Sequence, residues 1–396
     1  MKPYNLFATA TFGVESVVAR ELGHLGFGET VIDNGRIHFS GDAADLCRAN
    51  LWLRTAERVF VRIGRFEALT FDALFEGTKA LPWEEWLPED AEFPVTGSCV
   101  KSRLMSVPDC QSIVKKAVVE RLKTRYRRIL FPESGPRYRI EFTLLGDWVT
   151  LAIDSSGAGL HKRGYRTLTH AAPIKETLAA AMLLISRWSP ERPLIDPFCG
   201  SGTIPIEAAL MARDMAPGLE REFDCQQWPQ IPKAAWYETL EEARSRVRTD
   251  RELLIQGYDI SPDSVDAANH HARLAGLEKS IHFQRMDMRL ISSRHEYGFI
   301  VTNPPYGQRI GEEHENARLY KDMGVSFSRL GTWSCYIISP DPDFEKAFGR
   351  PANRKRKLYN GGIRCDYYQF YGPKPKFREN DDESGRISSN EYKRQL

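Results

Sequence analysis

Two short motifs, one hundred residues apart, hold the side chains that could do chemistry. Residues 196–203 read Asp-Pro-Phe-Cys-Gly-Ser-Gly-Thr, between the apolar stretch 193–195 and the helix-spaced apolar run 204–210. This order predicts a strand, a glycine turn and a helix, the first crossover of an open α/β sheet, where such folds bind ligands. The glycines let the backbone approach a ligand, and the following helix presents free N–H groups. The spacing matches neither the dinucleotide fingerprint nor a phosphate loop. No lysine follows the glycines, which argues against a triphosphate ligand.

The second motif, 303–307, reads Asn-Pro-Pro-Tyr-Gly and follows the apolar run 297–302, which we interpret as a buried strand. The hydrogen-bond acceptors and the ring of this motif are suited to binding an aromatic amine. Such an amine is a poor nucleophile because its lone pair is delocalised into the ring. The Asn303 side-chain oxygen and the Pro304 carbonyl could each accept one N–H of that amine and so localise the lone pair. Consecutive prolines stiffen the turn, and Tyr306 offers a ring face for stacking a base. Catalysis by such a loop rests on positioning and hydrogen bonding rather than on a strong general base.

With both motifs in this order, residues 160–372 resemble a class I S-adenosylmethionine-dependent methyltransferase of the group that methylates amino nitrogens. The resemblance implies that the second motif holds the target amine toward the sulfonium methyl. The implied catalytic positions are Asn303, Pro304, Pro305 and Tyr306. It also implies S-adenosylmethionine as cofactor, at the ends of the first three strands. The implied cofactor positions are Asp196, Phe198, Gly200, Ser201, Gly202, Thr203, Asp259, Ile260, Asp287 and Met288.

The acids among these positions carry distinct expectations from the family. Asp196 would lie near the methionine end of the cofactor, Asp259 would accept both ribose hydroxyls, and Asp287 would take the adenine amino group. We expect strands over 253–260 and 281–288 to present the last two. Asp196 and Asp259 are 63 residues apart, whereas this crossover usually needs roughly 20 to 30. The excess predicts an insertion over 213–251.

Composition excludes several other classes of protein. The 396 residues predict two or three domains, and the 42% hydrophobic content suits ordinary globular cores. No apolar run approaches a membrane span, and the N-terminal residues lack a secretory signal. The seven cysteines form no C-x-x-C pair, which favours neither a disulfide framework nor zinc. We therefore expect a cytoplasmic protein with no metal, no membrane contact and no obligate protein partner.

Charge is concentrated although the net charge is only +2. Residues 101–140 hold eleven basic and three acidic side chains, and a helix predicted over 109–129 carries many of them. Such a run is often a solvated helix face. Beside a loop that holds a base, it favours contacts with phosphates instead. The predicted RNA-binding positions are Lys101, Arg103, Lys115, Lys116, Lys123, Arg127, Lys162, Arg163 and Arg166.

The first 158 residues predict two small units. Strands over 5–10, 31–39 and 58–65 with helices over 14–25 and 43–50 suggest a ferredoxin-like domain, residues 1–65. A second α+β unit, residues 66–158, has helices over 71–80 and 109–129 and strands over 95–101, 138–145 and 148–154. Its segments 101–106 and 111–117 resemble the THUMP domain, an RNA-binding module. The methyltransferase domain takes residues 159–372, and the polar residues 373–396 suggest a mobile tail.

The predicted fold class is therefore α/β: a Rossmann-like methyltransferase domain with a mostly parallel sheet, preceded by α+β ferredoxin-like and THUMP domains. With the segments 160–166 and 172–176, the whole chain to about residue 372 resembles bacterial THUMP-containing ribosomal-RNA guanine-N2 methyltransferases. The expected partner is large-subunit ribosomal RNA or its precursor. Adenine N6 in RNA or DNA and a glutamine side chain in a protein stay open as targets. A non-catalytic RNA-binding or ribosome-assembly factor is the alternative from another class.

Overall fold

The structure is a computed structural model that describes residues 3–168, 174–250, 252–306 and 313–375. Within these residues the chain builds two seven-stranded sheets, one from each half of the sequence. The predicted tail beyond residue 375 lies outside the described residues, as does Gly307. No helix in the described ranges is long and apolar enough to cross a membrane.

The N-terminal sheet has the strand order β2-β3-β1-β4-β7-β6-β5. Its strands are β1 Tyr4–Thr9, β2 Val31–Asp33, β3 Arg36–Gly41, β4 Arg58–Glu67, β5 Val95–Val100, β6 Arg139–Leu145 and β7 Trp148–Asp154. Its helices are α1 Glu15–His24, α2 Ala43–Trp52, α3 Phe71–Lys79 and α4 Val107–Tyr126. Strand β4 pairs with β1 on one side and β7 on the other, so one continuous sheet spans both predicted N-terminal units.

Two local predictions in this half were wrong. The single strand expected over 31–39 is a hairpin of β2 and β3, turned at Asn34 and Gly35, which both have positive φ (47° and 76°). An Asn-Gly pair favours that kind of turn. Helix α4 ends at Tyr126 rather than 129, because Arg127 takes the left-handed conformation (φ 53°) that stops a helix.

The C-terminal sheet has the order β10-β9-β8-β11-β12-β14-β13. Its strands are β8 Leu194–Asp196, β9 Ile255–Asp259, β10 His282–Arg285, β11 Phe299–Thr302, β12 Ser334–Ser339, β13 Arg354–Asn360 and β14 Ile363–Phe370. The helices are α5 Glu176–Ser186, α6 Thr203–Ala212, α7 Lys233–Ser245, α8 Pro262–Leu274, α9 Glu313–Ser328 and α10 Phe344–Phe348. The first five strands in this order are parallel. Because the strand order reverses beside β8, a crevice for a ligand opens at its carboxyl end.

The predicted insertion between α6 and β9 packs against the N-terminal half. Its backbone amide at Gly218 donates to the Leu51 carbonyl (3.0 Å). The ring of Trp228 stacks on Tyr138 with centroids 4.8 Å apart. Helix α7 of the same segment packs on α2. The insertion therefore braces the two sheets against each other, which accounts for its length in structural terms.

Candidate active site

A cavity of about 1060 Å³ lies at the carboxyl ends of β8, β9 and β11. All four predicted catalytic positions line it, and so do nine of the ten predicted cofactor positions: Asp196, Phe198, Gly200, Ser201, Thr203, Asp259, Ile260, Asp287 and Met288. The fold thus brings together two motifs that are one hundred residues apart in the sequence.

The two glycines of the first motif differ in what they do. Gly200 has φ +50°, and a Cβ built there would meet nothing within 4 Å, so this turn leaves room for a ligand. Gly202, the N-cap of α6, has φ +85° and lies outside the cavity lining. A Cβ there would lie 2.9 Å from the ring of Phe283 and 3.0 Å from Ala268. Gly202 therefore permits close packing beneath the site rather than contact with a ligand.

Asp259, the last residue of β9, ties the glycine turn to its neighbouring strand. Its Oδ2 accepts a hydrogen bond from the Gly200 N–H (3.0 Å), and its Oδ1 accepts one from the Ser261 N–H (2.9 Å). An ionised carboxylate has about four acceptor positions. Two of them are used by these bonds, so Asp259 keeps capacity to accept hydroxyl donors at the cavity.

Asp196, at the end of β8, is buried, with 1% of its surface exposed. Its Oδ1 accepts hydrogen bonds from the Thr302 hydroxyl (2.6 Å) and the Phe198 N–H (3.2 Å). Burial raises the pKa of this carboxyl to about 7, against the lowering effect of both hydrogen bonds. Asp196 thereby joins the end of β8 to the end of β11, directly before the second motif.

The residues expected around an adenine ring combine an acid with apolar surface. Asp287 forms an ion pair with Arg289 (2.5 Å), which holds the pKa of the carboxyl below its ordinary range. Ile260 is 64% exposed and Met288 is buried, and both line the cavity. An exposed apolar side chain at a cavity suits contact with a flat ring. The sequence analysis gave no role to Arg289, although it follows Asp287 by only two residues.

The second motif presents an acceptor that has no donor. The Oδ1 atom of Asn303 is buried and has no hydrogen-bond partner among the described residues, while the side chain lines the cavity. A buried carbonyl oxygen without a donor is unfavourable by about 1–3 kcal/mol. Tyr306 is fixed by Asn360, whose Nδ2 donates to the phenolic oxygen (2.6 Å). The loop therefore combines a free acceptor with a ring held in place.

Profiles of known protein families match the chain in three segments. The profile described as "RMKL-like, methyltransferase domain" (UPF0020) matches residues 163–369, more than half of the chain. The chain belongs to the RMKL-like methyltransferase family. Profiles for the "RlmL ferredoxin-like domain" and the "THUMP domain" match residues 5–60 and 68–154. The predicted fold class and family resemblance are thus confirmed.

Individual relatives of this RMKL-like chain extend over nearly its whole length. "Putative RNA methyltransferase YpsC" from Bacillus subtilis is 48% identical, over 96% of this chain and 100% of that protein. A "Ribosomal RNA large subunit methyltransferase K/L" from Syntrophotalea carbinolica is 36% identical over 93% of this chain, which spans only 53% of that relative.

Two solved structures also match this RMKL-like chain closely. A "predicted N6-adenine-specific DNA methylase" from Listeria monocytogenes is 48% identical with TM-score 0.90, over 94% of this chain and 97% of that one. SMU.472, described as "a putative methyltransferase complexed with SAH", is 42% identical with TM-score 0.91, over 95% and 100%. SAH is what remains when S-adenosylmethionine has given up its methyl group. The family and this neighbour identify S-adenosylmethionine as the methyl donor.

Eight of the nine basic positions predicted to bind RNA fall into two groups in this RMKL-like structure. Five are exposed and have no ion pair among the described residues: Lys101, Arg103, Lys116, Arg127 and Lys162. Three are partly buried and paired with acids: Lys115 with Glu133, Lys123 with Glu120, and Arg166 with Glu176.

The prediction for Arg163 needs correction. This side chain is 3% exposed and donates to the Leu160 carbonyl (2.6 Å) and to Glu207 (3.4 Å). Its guanidinium also joins the two halves of the chain, because it donates a hydrogen bond to the Arg54 carbonyl in the N-terminal half. A guanidinium buried in this way is not available to RNA.

Several cavity residues were missed by the sequence analysis. They are Lys175, Arg318, Asp322, Asn360 and Ile363. Lys175 belongs to the family segment 172–176, and its ammonium lies 3.0 Å from the carboxylate of Glu57 in the N-terminal half. Asn360 pairs with Ile363 across the Gly361-Gly362 turn, a hairpin-turn signal that was available in the sequence.

Proposed function

We propose that this methyltransferase modifies RNA, and that its target is the N2 amine of a guanine in large-subunit ribosomal RNA. One observation carries the proposal for an amine target: the buried Oδ1 of Asn303, at the cavity, has no donor among the described residues. An exocyclic amine supplies the N–H that this oxygen lacks. A hydroxyl or thiol target would give the same loop only one proton to hold.

The loop residues act by holding and orienting. Asn303 accepts one N–H of the amine, and the carbonyl of Pro304 accepts the other, which concentrates the lone pair on nitrogen. Tyr306 stacks against the base, since its ring is anchored by Asn360. These groups stabilise the charge that develops during transfer, and positioning supplies much of the remaining effect. The methylated nitrogen is acidic and loses its proton afterwards to solvent.

The cavity residues fit the cofactor of the family. S-adenosylmethionine supplies an electrophilic methyl group when it is bound. Gly200 leaves space for it beside the turn, and Asp259 has free acceptor positions for two hydroxyls. Ile260 and Met288 offer apolar surface, with Asp287 next to them. We assign the ribose to Asp259 and the adenine to Ile260, Asp287 and Met288.

RNA is favoured as the substrate by the N-terminal half. A THUMP profile matches residues 68–154, and YpsC and the K/L relative are both named as RNA methyltransferases. We propose that Lys101, Arg103, Lys116, Arg127 and Lys162 contact phosphates. Ribosomal RNA as substrate would place the enzyme in the cytoplasm. The intact pair of motifs argues against a purely RNA-binding factor.

Adenine N6 is the second candidate target. The Listeria structure of 48% identity is described as an N6-adenine-specific DNA methylase, and the loop accepts N–H groups from either base. Guanine is favoured by the resemblance of the whole chain to THUMP-containing guanine-N2 methyltransferases. The K/L relatives support large-subunit ribosomal RNA.

Mass spectrometry of ribosomal RNA nucleosides tests both the base and the polymer. RNA from a strain that lacks the gene should be missing one N2-methylguanine in the large subunit. Adding back the purified chain with S-adenosylmethionine should restore it, and the Asn303→Ala variant should not. If the purified chain restores N6-methyladenine instead, the target base is adenine and not guanine. If RNA from the deletion strain lacks no methylated base, the proposal fails.

A further inference from the structure

The hairpin of β13 and β14 carries a basic run that the proposed chemistry does not use. Residues 350–364 contain six basic and no acidic side chains. Three of the six are engaged within the protein: Arg350 over the Phe370 ring, Lys355 in an ion pair with Glu345, and Arg356 donating to the Gly13 carbonyl. The other three, Arg354, Lys357 and Arg364, are exposed and have no ion pair among the described residues.

Two of these free charges share one side of the hairpin with a tyrosine. Lys357 and Tyr359 are two residues apart on β13, and alternate residues of a strand point to the same face. Arg364 lies directly opposite Tyr359 in the antiparallel register, so it joins that face. Asp366 is opposite Lys357, but the two form no ion pair. This side of the hairpin therefore carries a net positive charge.

An aromatic side chain from the other half of the protein completes this surface. Phe12 is 62% exposed, and its ring lies edge-on to that of Tyr359 with centroids 6.4 Å apart. Its loop is fixed to β13, because Arg356 donates to the Gly13 carbonyl (2.8 Å) and to the Ser16 hydroxyl (2.8 Å). We call Phe12, Lys357, Tyr359 and Arg364 the hairpin face. Basic groups interleaved with aromatic rings are typical of surfaces that bind single-stranded nucleic acid.

The hairpin face leads to the active-site cavity. The turn of the hairpin lines that cavity through Asn360, Gly361 and Ile363. Lys357 is three residues from Asn360, about 10 Å along a strand, and this odd spacing places Asn360 and its partner Ile363 on the opposite face of the hairpin. An RNA strand that passes around the hairpin turn would place one nucleotide on the hairpin face and the target base in the cavity.

Protection of an exposed sheet edge is the alternative role for these charges. Strand β13 ends its sheet, and lysines on an edge strand prevent pairing with other chains. That role accounts for Lys355 and Lys357. It does not account for Arg364, which lies on the inner strand β14, and an exposed Phe12 works against it. The geometry is better suited to a ligand with both phosphates and bases.

We infer that the hairpin face binds the backbone and one base of single-stranded RNA next to the target nucleotide, and so directs that nucleotide into the cavity. This inference rests on the proposed RNA substrate. The free cations contact phosphates, and Phe12 stacks on an unpaired base. The hairpin thus acts in substrate binding in addition to anchoring Tyr306.

Salt-dependent binding of the full chain to an unmodified 23S ribosomal RNA transcript tests the inference. The Lys357→Gln/Arg364→Gln variant should weaken binding and lower the slope of log affinity against log salt by about 1 to 2. The Phe12→Ser variant should weaken binding but leave the slope unchanged. Methylation by both should show a lower kcat/KM for RNA, with kcat at saturating RNA and the affinity for S-adenosylmethionine preserved.

The matched control removes two exposed cations near the opposite edge strand, β10: Arg273 lies on α8, and Lys279 lies in the loop before β10. Arg273→Gln/Lys279→Gln makes the same charge change, and its slope and kcat/KM should stay near those of the unaltered chain. An equal loss in both double variants would mean that only net charge matters, and would overturn the inference. So would an unchanged slope and kcat/KM in Lys357→Gln/Arg364→Gln. If the unaltered chain binds no RNA at all, both the proposed RNA substrate and the inference about the hairpin face are refuted.

Discussion

The side-chain amide of Asn360 donates a 2.6 Å hydrogen bond to the hydroxyl of Tyr306, which is 54 residues away in the sequence. This bond connects the turn of the C-terminal hairpin to the loop that we propose holds the target amine. Burial raises the pKa of the Tyr306 hydroxyl, so it stays protonated at neutral pH and its oxygen accepts the amide proton as a neutral group. The ring of Tyr306 therefore has a fixed position before any substrate arrives.

The anchoring of this ring predicts the behaviour of three variants. Tyr306→Ala should lose about 1–3 kcal/mol of base stacking, seen as a lower kcat/KM for RNA. Tyr306→Phe should recover most of that loss because it keeps the ring face. Asn360→Ala removes the same hydrogen bond as Tyr306→Phe, so the double variant should be little worse than the worse single one. Additive losses in single-turnover methylation would show that Asn360 acts on something other than Tyr306.

The free acceptor of Asn303 predicts a loss confined to the chemical step. Asn303→Ala should lower the single-turnover rate by roughly two to three powers of ten, if its worth resembles that of an oxyanion-hole donor. The affinity for S-adenosylmethionine should change little, since the interaction matters chiefly in the transition state. Tritiated cofactor and an RNA fragment give the rate, and calorimetry gives the affinity. A fully active variant would refute the role of the loop.

The two motifs that line the cavity were predictable because each is local. Residues 196–203 hold a strand end and a glycine turn, and residues 303–306 follow a strand end with two prolines, so each motif is recognisable within one short segment. The hydrogen bond from Asn360 joins residues far apart in sequence, and nothing near either residue indicates the partner. Arg163 is buried by partners far away in the sequence, Glu207 and the Arg54 carbonyl, so a basic residue in a basic segment was misread as a surface residue.

Asp259 predicts a loss of cofactor affinity. Asp259→Ala should weaken binding of S-adenosylmethionine by about 1.5–3 kcal/mol, as expected for hydrogen bonds to a charged group. The variant also loses the support of the Gly200 and Ser261 amides, so the loss includes some disorder of the turn. Asp263→Ala, which removes an exposed carboxylate four residues away, is the control. Equal affinities in calorimetry would remove Asp259 from the cofactor site.

The two groups of cations on α4 and its C-cap predict different salt dependences. Lys116→Gln/Arg127→Gln removes exposed charges and should lower the log–log slope of RNA binding by about 1 to 2. Lys115→Gln/Lys123→Gln makes the same charge change, but both lysines are paired with acids, so its slope should change less. Filter binding over a salt series measures both. A slope that stays at the value of the unaltered chain in both variants would indicate that the helix is only a solvated face.

Asp196 predicts a stability that falls as the pH rises. Its carboxyl has a pKa of about 7 in the folded chain, against an ordinary value of 3.8. Between these values the folded protein keeps a proton that the unfolded chain has released. Its contribution to stability is therefore complete below about pH 3.8 and lost as the pH rises through about 7.

An asparagine at position 196 isolates this effect. Asp196→Asn keeps the shape without the charge, so its unfolding free energy relative to the unaltered chain should rise by roughly 2–3 kcal/mol between pH 5 and 8. Glu176, whose pKa is also raised to about 7, titrates in both proteins and cancels in the difference. Denaturant unfolding at a series of pH values gives this difference. A constant value across that range would mean that Asp196 is ionised in the folded chain, held by Thr302 and the Phe198 amide strongly enough to overcome its burial.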